Sequence, residues 1–270
     1  MRHSSHSVVQ PVQRRQGMLA AACAALLALT VGAAAPAGAV CKVSEPNSLY
    51  NYEGSIDGKH AIRMTLIFSD AGVVGNYFYA SQLKDIALKG TVRDGRSLTL
   101  DELGPDNKVS AGIEASFADK DPKGSFGNSE LACEVIVGNW SRPGADKKLP
   151  VYLKLESITG GTLDNRYGEG KDEQVHANAR RFRDAVKSGD KKAVASLLAY
   201  PISVNLAGKR VHLKKAAELI AHYDAIFTPD YRGLILAAVP RNMFSRDQGI
   251  MLGSGQVWFN GDGKVIALNN

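Results

Sequence analysis

The sequence predicts an α+β protein in which an antiparallel β domain, a small barrel or a sandwich, precedes an α+β domain. Between residues 46 and 158, short segments of alternating apolar and polar residues are separated by turn residues. Over residues 172–270, apolar residues recur with the 3.6-residue period of helices before strand-like segments return. A glycine-rich polar segment, residues 159–171, separates the two patterns and is predicted to be a linker.

The first 39 residues have the composition of a secretory signal peptide. A basic start with Arg2, Arg14 and Arg15 precedes the apolar run MLAAACAALLALTV, and Ala37-Gly38-Ala39 supplies small residues for cleavage. The apolar run is shorter than the roughly 20 residues of a membrane-spanning helix. We therefore predict that residues 1–39 are removed, that no integral membrane segment remains, and that the protein is periplasmic or secreted.

Two alternatives to a cleaved signal peptide stay open. The apolar run could remain as a membrane anchor, or Cys41 could carry a lipid. Val40, directly before Cys41, fits lipoprotein processing poorly because a small residue is expected there.

Without residues 1–39, the chain is only weakly basic. The full sequence has 33 Lys and Arg residues against 27 acidic residues, and the three N-terminal arginines account for half of the excess of six. No cluster of basic residues with interleaved aromatic residues occurs, so no nucleic-acid partner is predicted.

Cys41 and Cys133 are the two cysteines left after cleavage. An even number of cysteines in an oxidising compartment predicts a disulfide, and two free thiols are the alternative. The bond would close a loop of about 90 residues, which contributes roughly 4–5 kcal/mol in the chain-entropy model.

About eight strands are predicted in the β domain. Residues 60–69 alternate apolar and polar side chains, and Asp57-Gly58 and Asp94-Gly95 are typical of tight hairpin turns. Further strands are expected at 73–80, 85–93, 97–103, 111–118, 130–139 and 149–156. Such a meander loosely resembles lipocalin-like and avidin-like barrels. In such a barrel, aromatic residues such as Trp140 either line a ligand cavity or pack the core.

The C-terminal segment is expected to contain four helices and a curved sheet. Gly189 ends the first helix, Asp190 caps the second, and Thr228-Pro229 opens the fourth. Strands are expected at 202–206, around 210–212, at 249–259 and at 263–268. The segments AYPISVN, ELIAHYDAIFTP and GIMLGSGQVWFN resemble the NTF2-like superfamily, and this resemblance implies a cone-shaped sheet over residues 172–270.

No motif for catalysis, metal binding or cofactor binding occurs in the sequence, so no catalytic residue, metal or cofactor is predicted. NTF2-like cones can host acid–base chemistry, and the resemblance would place Tyr223, Asp224 and Trp258 at such a pocket. The alternative is that the two aromatic residues are core residues and that Asp224 is solvated.

These observations predict an exported, non-enzymatic binding or interaction protein, such as an inhibitor, an immunity protein or an envelope accessory protein. Its partner would be a protein or a small apolar ligand in the envelope. The alternatives are a small-molecule-binding protein that uses the barrel or cone pocket, and an NTF2-like acid–base enzyme.

Overall fold

Eight consecutive strands close into an antiparallel barrel, so the predicted β-barrel is confirmed. Each strand pairs with the next along the chain, and the first strand pairs with the eighth to complete the ring. The strands are β1 Leu49–Ile56, β2 His60–Ser69, β3 Gly72–Tyr79, β4 Ile86–Arg93, β5 Ser97–Leu103, β6 Val109–Phe117, β7 Val135–Ser141 and β8 Leu149–Thr159. The computed structural model describes residues 41, 43–124, 133–168, 171–246 and 249–270. The predicted signal peptide lies outside these residues.

The barrel interior is filled by large side chains, as the alternation within each strand requires. Tyr50 and Phe68 pack edge to face with ring centroids 5.1 Å apart, and the buried hydroxyl of Tyr52 donates to the carbonyl oxygen of Cys133 at 2.9 Å. The inward set also includes Met64, Leu66, Tyr77, Leu100, Ile113, Phe117, Ile136 and Leu153.

A disulfide between Cys41 and Cys133 ties the segment before β1 to the segment before β7, as predicted. The two Cα atoms are 4.9 Å apart and the cysteines are separated by 92 positions. The amide of Cys41 also donates to the carbonyl oxygen of Gly95 in the β4–β5 turn at 2.8 Å. The N-terminal segment is therefore held at this end of the barrel.

In the described residues after the barrel, one helix of 17 residues is followed by four short helices and two small sheets. They are α1 Asp172–Ser188, α2 Lys191–Ser196, β9 Ile202–Leu206, β10 Lys209–Leu213, α3 Ala216–Ala221, α4 Tyr223–Ile226, α5 Pro229–Ala237, β11 Phe244–Arg246, β12 Gly249–Leu252, β13 Val257–Phe259 and β14 Val265–Leu268. Gly189 ends α1 in the left-handed conformation, and the side chain of Asp190 caps α2. The side chain of Thr228 caps α5.

The prediction of an α+β fold with a separate NTF2-like domain is wrong. Of the residues that the structure describes, 44% are in strands and 19% in helices, so the fold is mostly β, and the C-terminal part is not a separate NTF2-like domain. A cone requires long, bent strands in one sheet. Here, strands of three to five residues form a two-stranded sheet and a separate four-stranded sheet.

Backbone conformation explains why the long closing strand is missing. The strand predicted over 249–259 is interrupted at Gly253 and Gly255, whose φ angles are 69° and 101°. These left-handed conformations turn the chain, so the segment forms the short strands β12 and β13.

Arg241 fastens the C-terminal part to the barrel. Its buried guanidinium contacts Asp85 in the β3–β4 loop with two hydrogen bonds of 2.6 and 2.8 Å. It also donates to Glu173 in the first turn of α1 at 2.8 and 3.3 Å. These two carboxylates raise the pKa of Arg241 despite its burial.

Arg166 makes a second attachment, from the segment predicted to be a linker. The residue is 5% exposed. Its guanidinium donates to Asn51 Oδ1 on β1 at 2.7 Å and to Thr65 Oγ1 on β2 at 3.1 Å. The chain after β8 is therefore anchored in the outer wall of the barrel.

His176 on α1 is buried beside these attachments in its neutral form. The amide of Asn242 donates to His176 Nε2 at 3.2 Å, and the hydroxyl of Tyr167 lies 3.0 Å from the same nitrogen. The proton is therefore assigned to Nδ1. Burial, and then the charge of Arg241, lower the pKa of His176 to about 4, against a partly opposing effect of Glu173.

Replacing Arg241 with methionine should lower the free energy of unfolding by about 2 kcal/mol. The loss should be smaller than the 3–5 kcal/mol typical of a broken buried ion pair because water can reach Asp85 and Glu173. Urea denaturation measures the change. Arg180, exposed on α1, provides the matched control Arg180→Met, and equal losses in the two variants would contradict the attachment.

His176 should make the folded protein less stable as the pH falls from about 6.5 to about 4. In that interval the unfolded chain binds a proton that the folded chain excludes, so stability falls by up to about 3 kcal/mol. Urea denaturation across this pH range should show a shallower fall for His176→Gln than for wild type. The exposed control His212→Gln should keep the wild-type slope, and an unchanged slope in His176→Gln would refute the assignment.

Candidate functional site

A cavity of about 400 Å³ opens between the outer wall of the barrel and the C-terminal segment that carries β11 and β12. We call this cavity the wall cleft. It is lined by Asn51, Tyr52, Glu53, Arg63, Met64, Thr65, Glu156, Ser157, Val239, Asn242, Phe244, Met251, Gly253 and Ser254.

The barrel side of the wall cleft is polar because strand alternation points polar residues outward. On β1, Tyr50 and Tyr52 fill the interior, so Asn51 and Glu53 belong to the outer face. On β2, Arg63 and Thr65 occupy the outer face in the same way. Neighbouring strands thus place side chains that can donate and accept hydrogen bonds next to one another.

A β-bulge in β8 brings a second carboxyl group to this wall. Asn51 pairs with Ser157, whereas Tyr52 pairs with Leu155, so Glu156 has no partner residue on β1. Such an extra residue changes the direction of the side chains around it. Asn51 Nδ2 donates to Ser157 Oγ at 3.3 Å, and the carboxyl groups of Glu156 and Glu53 both line the cavity.

Positive and negative groups alternate across the wall. Glu53 pairs in register with Arg63 on one side and with Lys154 on the other. Arg63 Nη2 lies 3.7 Å from Glu53, and Lys154 Nζ lies 3.0 Å from Glu156. These four side chains are 31–44% exposed, and their formal charges sum to zero. Glu53, Arg63 and Glu156 line the wall cleft, whereas Lys154 lies beside it.

The pKa of Glu53 is raised above its ordinary value. Partial burial is the largest cause, followed by the negative charge of Glu156 and a hydrogen bond to that residue. Arg63 and Lys154 act in the opposite direction. Glu53 therefore retains a proton more readily than an isolated glutamate does.

The opposite side of the wall cleft is largely apolar. Val239, Phe244 and Met251 line it, together with the turn between β12 and β13. Ser254 in this turn donates its amide to Gln256 Oε1 at 2.7 Å, which holds the turn in place. A ligand in the wall cleft would meet hydrogen-bonding groups on one side and apolar groups on the other.

Arg166 holds two of the polar lining residues from behind. Asn51 Oδ1 accepts from Arg166 and, at 3.0 Å, from Thr65 Oγ1. The amide nitrogen of Asn51 donates to Thr159 Oγ1 at 3.1 Å. Because these contacts fix the orientations of Asn51 and Thr65, the wall is ordered before any ligand binds.

The residues predicted for an NTF2-like pocket lie elsewhere. Tyr223 is 2% exposed and stacks on Phe227 with ring centroids 4.6 Å apart. The carboxylate of Asp224 is 82% exposed and contacts Lys191 at 2.7 Å. Trp258 lies half-buried on β13, opposite Met251 and Ala267 in register. None of these three predicted residues lines the wall cleft.

Trp140 belongs to a polar cluster at one end of the barrel. Its indole nitrogen donates to Glu102 Oε2 at 3.0 Å, and Tyr77 donates to the same oxygen at 2.6 Å. Ser110 donates to Glu102 Oε1 at 3.0 Å. Trp140, predicted as a ligand-binding residue, thus positions an inward carboxylate and does not line the wall cleft.

Sequence reasoning missed Glu53, Arg63, Lys154 and Glu156. Alternation within β1 and β2 could have placed Glu53 and Arg63 on the outer face. No sequence signal marks the bulge at Glu156 or the segment that covers the wall.

A larger cavity, of about 640 Å³, lies between the end of β8 and β11. Five of its lining residues are glycines: Gly160, Gly161, Gly168, Gly249 and Gly261. It therefore offers fewer side chains that could select a ligand, and we favour the wall cleft despite its smaller volume.

Within the part of the chain that the structure describes, no group of three or more His, Cys, Asp or Glu side chains is arranged to hold a metal ion. The same residues contain no helix with the length and apolar character needed to cross a membrane.

Comparison with protein-family models, curated proteins and solved structures finds no match to this chain. The loose resemblance of the barrel to lipocalin-like and avidin-like proteins therefore stays a prediction.

Replacing Glu156 with glutamine should lower the pKa of Glu53. The substitution removes the negative charge that disfavours ionisation of Glu53 and keeps a side chain of similar size. Carbon-detected NMR titration of the Glu53 carboxyl group measures its midpoint. Glu114→Gln, on the outer face of β6, should leave the midpoint of Glu53 unchanged. If Glu156→Gln also left the midpoint of Glu53 unchanged, the pairing of Glu53 with Glu156 would be contradicted.

Proposed function

We propose that the chain is an exported, non-enzymatic binding protein that holds a small molecule in the wall cleft. The observation that carries this proposal is the pre-ordered polar wall that faces an apolar wall across a cavity of about 400 Å³. Small-molecule sites typically have volumes of about 300–1,000 Å³ and combine apolar lining with a few fixed polar groups.

Packing inside the barrel favours a site on its wall. The aromatic side chains of Tyr50, Tyr52, Phe68 and Phe117 occupy the interior, whose residues are almost entirely buried. A ligand there would have to displace this core, whereas the wall cleft accepts one without repacking.

The disulfide and the N-terminal sequence support export. Disulfides persist in oxidising compartments and are rare in the cytosol, and Cys41 and Cys133 are joined. The order of basic, apolar and small residues over 1–39 is that of a secretory signal peptide.

The charges around the two carboxyl groups favour binding over catalysis. Glu53 has Arg63 as a basic neighbour at 3.7 Å, and Glu156 has Lys154 at 3.0 Å. These ion pairs favour a fixed hydrogen-bonding surface over a reactive acid.

Replacing Ser254 with tryptophan should abolish ligand binding at the wall cleft. The indole would fill the cavity from an exposed turn, so the fold should persist. Saturation-transfer NMR with a library of small neutral fragments identifies binders to the wild-type protein, and circular dichroism checks folding of the variant.

Ser81→Trp, in the exposed β3–β4 turn, is the matched control and should keep the wild-type binders. The proposal is refuted if no fragment binds the wild-type protein, or if the same fragments bind Ser254→Trp equally well.

A further inference from the structure

We propose that the ligand of the wall cleft is a neutral carbohydrate of one or two rings. Its adjacent hydroxyl groups would donate to the Glu53–Glu156 pair, and the apolar face of a ring would lie against Phe244 and Met251. This inference rests on the proposed function and specifies the chemical class of the ligand.

The charges on the wall favour a neutral ligand. A cation placed near Glu53 and Glu156 would also lie near Arg63 and Lys154, and an anion near those bases would lie close to the two carboxylates. Attraction and repulsion then nearly cancel, while the ionic ligand still loses its hydration. A neutral ligand with many hydroxyl groups avoids this loss.

Donors and acceptors on the wall match a polyol. The carboxylate oxygens of Glu53 and Glu156 accept hydrogen bonds, and Arg63 donates them. Ser157 carries a hydroxyl group that can do both. A sugar hydroxyl can also donate and accept, so a single ring can engage neighbouring groups on β1, β2 and β8 at once.

The apolar side of the wall cleft suits a pyranose ring. One face of such a ring presents C–H groups, which pack on aromatic and thioether side chains such as Phe244 and Met251. A volume of about 400 Å³ lies near the lower end of the range for small-molecule sites, which suits one or two rings rather than a polymer.

The test is isothermal titration calorimetry of the full mature chain with a panel of neutral sugars. The panel comprises glucose, galactose, mannose, N-acetylglucosamine and disaccharides of glucose, with glucosamine and glucuronate as charged analogues. At least one neutral sugar should bind, and about tenfold or more tightly than the charged analogue of matching ring geometry.

Two substitutions assign this binding to the wall. Glu53→Gln and Glu156→Gln should each weaken sugar binding by about tenfold or more because a hydrogen bond to a charged acceptor is lost. Glu114→Gln is the matched control on another strand and should bind as wild type does.

The outcomes separate this inference from the proposed function. The carbohydrate assignment is overturned if fragments bind in a manner that Ser254→Trp abolishes while no neutral sugar binds. Tighter binding of glucosamine or glucuronate than of the neutral sugars overturns it as well. If neither fragments nor sugars bind in the wall cleft, both proposals fail.

Discussion

The buried charge of Arg166 is the interaction on which the rest of the structure depends. A guanidinium removed from water costs several kcal/mol unless its hydrogen bonds are made, and burial lowers the pKa of Arg166 accordingly. Asn51 and Thr65 supply acceptors from two barrel strands, and the backbone amide of Arg166 donates to Asp172 at the start of α1 at 2.7 Å. One residue thus links the barrel wall to the first helix. Moving the C-terminal part away would break these contacts together, so the wall stays covered and the wall cleft exists.

Features of the fold that depend on residues close together in the sequence could be predicted. Asp57-Gly58 and Asp94-Gly95 adopt positive φ angles in the turns where they were expected, because these residue types tolerate that conformation. The C-terminal topology could not be predicted in this way. Helical periodicity identifies an apolar face without saying what that face packs against. A strand pattern containing Gly253 and Gly255 is also compatible with one long strand or with two short ones.

The site was harder to predict than the fold because long-range contacts create it. Arg166 and Asn51 are 115 positions apart, and nothing in either neighbourhood indicates the other. Glu156 reaches Glu53 because of a bulge, which a regular alternation of residues conceals. The NTF2-like resemblance implies a pocket at Tyr223 and Asp224, but the sheet that it implies does not form. Tyr223 instead stacks on Phe227 in the core, and Asp224 forms an exposed ion pair with Lys191.

The electrostatics of the wall also explain why the cleft remains open. If Phe244 and Met251 closed onto the barrel, the charged groups of Glu53, Arg63 and Glu156 would lose their water without gaining new partners. Desolvation of an ion costs several kcal/mol. Burial of apolar surface gains roughly 25 cal/mol for each Å², so the small apolar area of the cleft does not offset that cost. The apolar wall therefore cannot supply the hydrogen bonds that the charged wall requires, so the two walls do not pack against each other. The carbohydrate that we propose, with hydroxyl groups on one side and C–H groups on the other, would satisfy both walls at once, so the proposal follows from the same mismatch that keeps the cleft open.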